Sequence, residues 1–251
     1  MKIKIIVATH KPYKMPTDPM YVPLQVGSEG KPSLGYLRDN VGDNISAKNA
    51  NYCELTGLYW AWKHMDAEYL GLVHYRRYFS KGRWKRHILQ QPDMEKLLQK
   101  ADVILPKKRN YFIETTYNQY IHAHHEEDLT KTRDILVEQY PDYVASFDAV
   151  MQRTSGHRFN MFVMKWDKLD AYCTWLFAIL EELEKRLDIS GYSAYDARVF
   201  GFVAERLLDV WIETNGISYT EAPFWYIEKQ NWLKKGGAFL KRKFTGKKKQ
   251  S

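Results

Sequence analysis

Short apolar runs alternate along this chain with longer stretches in which apolar residues recur at helical spacing. Residues 3–9 (Ile-Lys-Ile-Ile-Val-Ala-Thr), 69–74 (Tyr-Leu-Gly-Leu-Val-His), 102–105 (Asp-Val-Ile-Leu) and 159–164 (Phe-Asn-Met-Phe-Val-Met) predict short buried strands. Between them, Tyr52, Leu55, Tyr59 and Trp62 mark one face of a helix over 47–64. Leu169, Tyr172, Cys173, Leu176, Leu180 and Leu183 mark another, which starts at Asp167, and Val199, Val203, Leu207 and Val210 a third over about 195–212. Further helices are predicted over about 93–100 and 115–140. Strands alternating with helices indicate an α/β domain.

Breakers punctuate this pattern. Pro16, Pro19, Pro23, Gly27, Gly30, Pro32 and Gly35 exclude a long helix and predict an irregular stretch able to cover a ligand. Gly42-Asp43-Asn44-Ile45-Ser46 has turn and N-cap chemistry. Asn44, Ser46 and Asn49 then cluster at a helix N-terminus, where free N–H groups favour anions.

A chain of 251 residues is long enough for one domain with an appendage, or for two small lobes. Its 18 Tyr and 8 Trp suit a groove for a sugar or nucleobase, although core packing uses aromatics as well. Cys53 and Cys173 stand far apart without ligand spacing, which indicates neither a disulfide framework nor a zinc site. No apolar run has signal-peptide or membrane-span length, so the expected location is the cytoplasm.

The formal charge of +8 changes meaning once located, because residues 232–251 hold eight Lys and Arg and no acid. The body, 1–231, is balanced. With Trp232, Leu233, Phe239, Leu240 and Phe244 among its cations, the tail reads as a segment associating with the anionic inner face of the plasma membrane. A solubilising end and an RNA-binding tail are the alternatives.

Candidate chemistry concentrates where the second strand ends, at His74-Tyr75-Arg76-Arg77. Ligands of open α/β sheets bind outside the carboxyl ends of strands, and adjacent guanidinium forks suit a diphosphate or carboxylate. Arg198, Gly201 and Glu205 share one side of the late helix, a second place for a ligand to approach. His122, His124 and His125 lack metal-ligand spacing and read as a surface or acceptor-side group.

Several stretches resemble a bacterial family of capsular and exopolysaccharide synthesis proteins regarded as glycosyltransferases, domain of unknown function 4422. The matching residues are Thr9-His10-Lys11, Val26-Gly27, Asp43-Asn44-Ile45-Ser46 with Asn49, 52–63 (Tyr-Cys-Glu-Leu-Thr-Gly-Leu-Tyr-Trp-Ala-Trp-Lys), 71–79 (Gly-Leu-Val-His-Tyr-Arg-Arg-Tyr-Phe), Asn160-Met161-Phe162 and Arg198-Val199-Phe200-Gly201-Phe202 with Glu205-Arg206-Leu207. The resemblance implies a GT-A-like nucleotide-sugar-binding fold, with a mostly parallel central sheet flanked by helices. It also implies transfer of galactofuranose or galactose from a UDP-sugar to a lipid-linked oligosaccharide.

On that footing Thr9, His10, Lys11, Gly27, Asn44, Ser46, Asn49, His74, Tyr75, Arg76 and Arg77 are the expected donor-binding residues. GT-A enzymes normally end the second strand in Asp-x-Asp and hold a divalent metal there. Here arginines occupy that place, and the expectation is that they replace the metal, so no cofactor is expected. Mn2+ recruited by Asp39, Asp43 or Asp102 stays open. Asp196 and Glu205 are candidate bases, with Arg198 beside them and Glu54 in reserve. The rival is a non-catalytic protein that binds nucleic acid or carbohydrate through the tail and exposed aromatics. The glycosyltransferase reading expects no nucleic-acid partner.

Overall fold

The computed structural model describes residues 1–82 and 87–228. The tail expected at 232–251 lies outside the described residues. In chain order the strands are β1 (Ile3–Thr9), β2 (Tyr21–Gln25), β3 (Leu37–Arg38), β4 (Tyr69–His74), β5 (Arg77–Phe79), β6 (Val103–Pro106), β7 (Arg109–Asn110), β8 (Ser155–Gly156), β9 (Phe162–Lys165), β10 (Thr220–Ala222) and β11 (Phe224–Tyr226). The helices are α1 (Asn49–Tyr52), α2 (Leu55–His64), α3 (Gln91–Leu98), α4 (Thr116–Ile121), α5 (Glu126–Gln139), α6 (Val144–Gln152), α7 (Trp166–Arg186) and α8 (Val199–Thr214).

The central sheet runs β10-β6-β9-β4-β1-β2-β3. Only β9 runs against its neighbours on this path, opposite both β4 and β6, while the other pairs are parallel. The carboxyl ends of the parallel strands therefore share one edge. There β5 folds back on β4 and pairs with β11, which extends the sheet over that edge.

Alternate residues of β1 and β4 enter opposite faces of the sheet, as strand geometry requires. Ile6, Ala8, Leu70 and Leu72 join the core under α2 and α5–α8, whereas Ile5, Val7, Tyr69 and Val73 join the core beneath α3. Both faces are covered, which is why these strands read as nearly continuous apolar runs. The expected mostly parallel sheet flanked by helices is what the chain forms. The stripe predicted on α7 is buried from Leu169 to Leu183.

Three predicted helices are divided. Between 46 and 64 the chain makes a 3-10 turn, then α1, then α2, because Cys53 takes φ +53° between the two helices. Residues 122–125 separate α4 from α5, and a 3-10 turn at Asp196–Arg198 precedes α8. Apolar spacing continues across these breaks, so periodicity alone does not register them. β2 was hidden in the breaker-rich stretch by Pro23. That proline precedes Leu24 and Gln25, the two residues that pair with β3, so the missing N–H is tolerated.

Candidate functional site

A cavity of about 240 Å³ opens at the carboxyl end of β4. The α1–α2 junction, the β7 segment, the α4–α5 region and the start of α8 complete its wall. Five arginines line it, Arg77, Arg109, Arg158, Arg198 and Arg206, against two glutamates, Glu54 and Glu205. Such an excess of fixed cations is the electrostatic setting for an anionic ligand.

Each guanidinium has its own support. The chain turns at Tyr75-Arg76, and Arg77, first residue of β5, lies 4.3 Å over the Phe159 ring and 5.2 Å over that of Tyr226. Buried Arg158 donates from Nε to the Tyr111 hydroxyl, from Nη1 to the His157 carbonyl at 2.7 Å and from Nη2 to Thr116 Oγ1 at 3.3 Å. Arg206 donates to the Phe202 carbonyl at 2.8 Å and to Gln119 Oε1 at 2.9 Å. Among the described residues, the Nε atoms of Arg77 and Arg206 are buried without a hydrogen-bond partner. Burial and the neighbouring Arg158 charge lower the Arg206 pKa from its ordinary value, more than Glu205 raises it.

Acid–base groups face the same space. Glu54 accepts from Asn160 Nδ2 at 2.7 Å and lies 3.5 Å from His74 Nε2. Burial disfavours its charge, yet His74, the Asn160 amide and a backbone donor outweigh burial and bring its pKa down to about 2. Cys53, Phe159 and Asn160, at φ +53°, +78° and +50°, hold this arrangement in backbone conformations that cost of order 1–3 kcal/mol each. Arg198 Nε donates to Cys53 Sγ at 3.1 Å, which joins the start of α8 to the strained turn. Glu205 lies 3.2 Å from Arg206 Nη1. His124 lines the cavity with Asp196 behind it, Nδ1 to Oδ1 at 3.3 Å.

The sequence candidates divide into three places. His74, Arg77, Arg198 and Glu205 line the cavity, and Asp196 reaches it through His124. His10, Lys11, Tyr75 and Arg76 form an adjoining group over the ends of β1 and β4: Lys11 Nζ is 5.3 Å, the Arg76 guanidinium 5.1 Å and the His10 ring 5.4 Å from the Tyr75 ring. Thr9 turns its hydroxyl to the Lys11 carbonyl at 2.7 Å, shaping that loop. Arg76 lies 3.5 Å from Glu228, away from the cavity wall.

Gly27, Asn44, Ser46 and Asn49 are gathered by structural bonds. Fully buried Asp39 accepts from Gly27 N, Ser28 N, Ser28 Oγ, Ser46 Oγ and Thr56 Oγ1, all at 2.6–3.0 Å. Asn49 donates to the Cys53 carbonyl at 2.6 Å and to Thr56 Oγ1 at 3.0 Å, and Asn44 caps its own turn. Gly27 has φ +57°, and a Cβ there would sit 2.3 Å from Asn49 Oδ1, so no other residue fits. Five donors leave Asp39 little to offer a metal. Asp43 and Asp102 are turned to Tyr59 and Lys165. Among the described residues no three His, Cys, Asp or Glu side chains gather as a metal site.

Arg109, Tyr111, Gln119, Arg158 and Arg206 were not singled out from sequence as site residues. An arginine destined for burial has no local signature that separates it from a solvated one; only Arg206, beside Glu205, fell within a matching motif.

The family described as domain of unknown function (DUF4422) matches residues 4–216. The chain belongs to that family. The structure of the bifunctional glycosyltransferase WbbM in its apo form is similar, with a TM-score of 0.85 and 29% identity over 91% of this chain and 46% of that one. The chain thus spans about half the length of that neighbour. No curated protein matches the chain.

Proposed function

We propose that this chain is a glycosyltransferase, moving a hexose, galactofuranose or galactose, from a UDP-sugar to a lipid-linked oligosaccharide during capsular or exopolysaccharide assembly. One observation carries the reading: five guanidinium groups converge on a single cavity at the carboxyl end of β4. The likeness to a glycosyltransferase over most of this chain supports it.

In this reading the diphosphate lies against Arg77, with the nucleoside toward His10, Lys11 and Tyr75. The bond between the anomeric carbon and the β-phosphate oxygen breaks, and a bond to the acceptor oxygen forms. Negative charge that develops on the departing UDP is met by fixed guanidinium groups, which need no reorganisation during the reaction. Arginine cations take the place of a metal in this scheme. The acceptor proton passes to Glu205, or to His124 oriented by Asp196. A peripheral position on the inner face of the plasma membrane follows if the tail binds anionic lipid.

Transfer from labelled UDP-galactofuranose and UDP-galactose to a soluble oligosaccharide, with Mn2+ and with EDTA, tests the proposal. Product in both conditions is expected from at least one donor. If neither donor yields product and neither they nor UDP bind the protein at millimolar concentration, the reading fails. Product only with Mn2+ removes the arginine-for-metal step.

A further inference from the structure

The segment 107–114 forms one wall of the cavity with its inner side and shows a different chemistry outward. Inward, Arg109 and Tyr111 line the cavity, and Tyr111 is pinned by its hydroxyl to Arg158 and by its N–H to the Thr154 carbonyl at 2.7 Å. Outward, Phe112 and Ile113 are 80% and 69% exposed, the most exposed large apolar residues among those described. Their backbone is held: Phe112, at φ +61°, donates its N–H to Asn110 Oδ1 at 2.6 Å, and Ile113 donates to the Tyr111 carbonyl at 2.8 Å.

Two lysines precede this tip in the chain. Lys107 and Lys108 are exposed, Lys108 Nζ lying 5.8 Å over the Tyr219 ring, and neither forms an ion pair with a described residue. The segment's acid, Glu114, is buried and paired with His122 at 3.0 Å. An apolar tip with two lysines just before it in the chain complements an anionic bilayer, with apolar side chains among the acyl chains and the ammonium groups on the phosphates.

We infer that residues 107–113 are a membrane-contact loop that inserts Phe112 and Ile113 into an anionic lipid surface. The loop's lipid binding stands independently of the proposed activity. Its consequence, that the cavity mouth is brought to an acceptor anchored in that surface, rests on the glycosyltransferase reading.

The test is co-sedimentation of the full chain with vesicles of phosphatidylglycerol and phosphatidylcholine, and of phosphatidylcholine alone. F112N/I113S, in which Asn suits the left-handed φ, should bind anionic vesicles about tenfold more weakly or worse, and the deficit should persist at high salt, where charge is screened. K107E/K108E should weaken binding to anionic vesicles alone and mainly at low salt, and V137S, on α5, should behave as wild type. F112N/I113S should glycosylate a lipid-free acceptor at the wild-type rate and a vesicle-embedded one more slowly. Equal vesicle binding by F112N/I113S and wild type would overturn the inference and leave a protein partner for the tip. A deficit of F112N/I113S on vesicles, with no transfer by wild type to any acceptor, would uphold the loop and defeat the enzymatic reading instead.

Discussion

His124 Nδ1 lies 3.3 Å from Asp196 Oδ1, and its ring stacks on Phe202 with centroids 4.2 Å apart. Burial, helped by the Arg206 charge and opposed by Asp196, lowers the His124 pKa to about 4, so the imidazole is neutral at pH 7. The unfolded chain, with a histidine pKa of about 6.5, takes up this proton first. The stability His124 contributes is therefore fully present above pH 6.5 and is lost as pH falls from there toward 4, by at most about 3 kcal/mol. Urea unfolding at pH 7, 5.5 and 4 should show this decline in wild type and a shallower one in H124Q. Parallel pH profiles would mean that the histidine is not held neutral by its surroundings.

Adjacent arginines on a reversing chain face different neighbours, and their substitutions should separate. Arg77 lines the cavity with a buried Nε that has no hydrogen-bond partner among the described residues, whereas Arg76 is half-exposed and 3.5 Å from Glu228. R77A should weaken UDP binding by about tenfold or more, equivalent to roughly 1.4 kcal/mol per factor of ten, while R76A changes it a few-fold. R77K keeps the charge without the planar fork and should recover only part of the loss. Isothermal titration with UDP measures all three. A larger loss in R76A would move the diphosphate to the lip formed by His10 and Lys11.

Asp39 predicts a pure stability effect. Its five donors come from the 27–28 loop, the 3-10 turn at Ser46 and the first turn of α2, so one carboxylate ties three segments together. D39A would strand those donors in a buried place, a loss of about 3–5 kcal/mol. For a chain of this size that lowers Tm by roughly 6–20 °C, readable by calorimetry. A variant with unchanged Tm would show that water replaces the carboxylate without penalty.

How far the chain could be read in advance follows from which forces act locally. β1, β4, β6 and α7 were legible because each buries a simple period against a covered sheet. The divisions at Cys53 and at 122–125 were not, since apolar spacing runs through them and the break depends on backbone angles stabilised by distant contacts such as Arg198 with Cys53. His74-Tyr75-Arg76-Arg77 was correctly placed at a strand end, but which arginine faces the cavity depends on the reversal into β5 and on the Phe159 ring that receives Arg77. Ser46 and Asn49 have the residue types of an anion site, and only the presence of Asp39 and Thr56 beside them shows where their hydrogen bonds go.

Glu54 loses stability in the same direction as His124, on acidification, but in a lower pH window. Its carboxyl is buried yet held at a pKa of about 2 by His74, Asn160 and a backbone donor that together exceed the desolvation penalty. A depressed carboxyl pKa contributes stability that is present above the unfolded value of about 4.3 and disappears as pH falls toward 2. E54Q removes the titrating charge while keeping the volume, so it should be less stable than wild type at pH 7 by about 3 kcal/mol, and the gap should close between pH 4.3 and 2. Guanidinium unfolding of both proteins at pH 7, 4 and 3 follows that closure. Because Asn160 donates to Glu54 from a left-handed backbone position, N160G should tolerate the φ angle yet lose the hydrogen bond, reproducing part of the neutral-pH loss. A stability gap between wild type and E54Q that stayed constant down to pH 3 would show that the carboxylate is not stabilised by these neighbours, and that the strain at Phe159 and Asn160 serves something other than holding Glu54 charged.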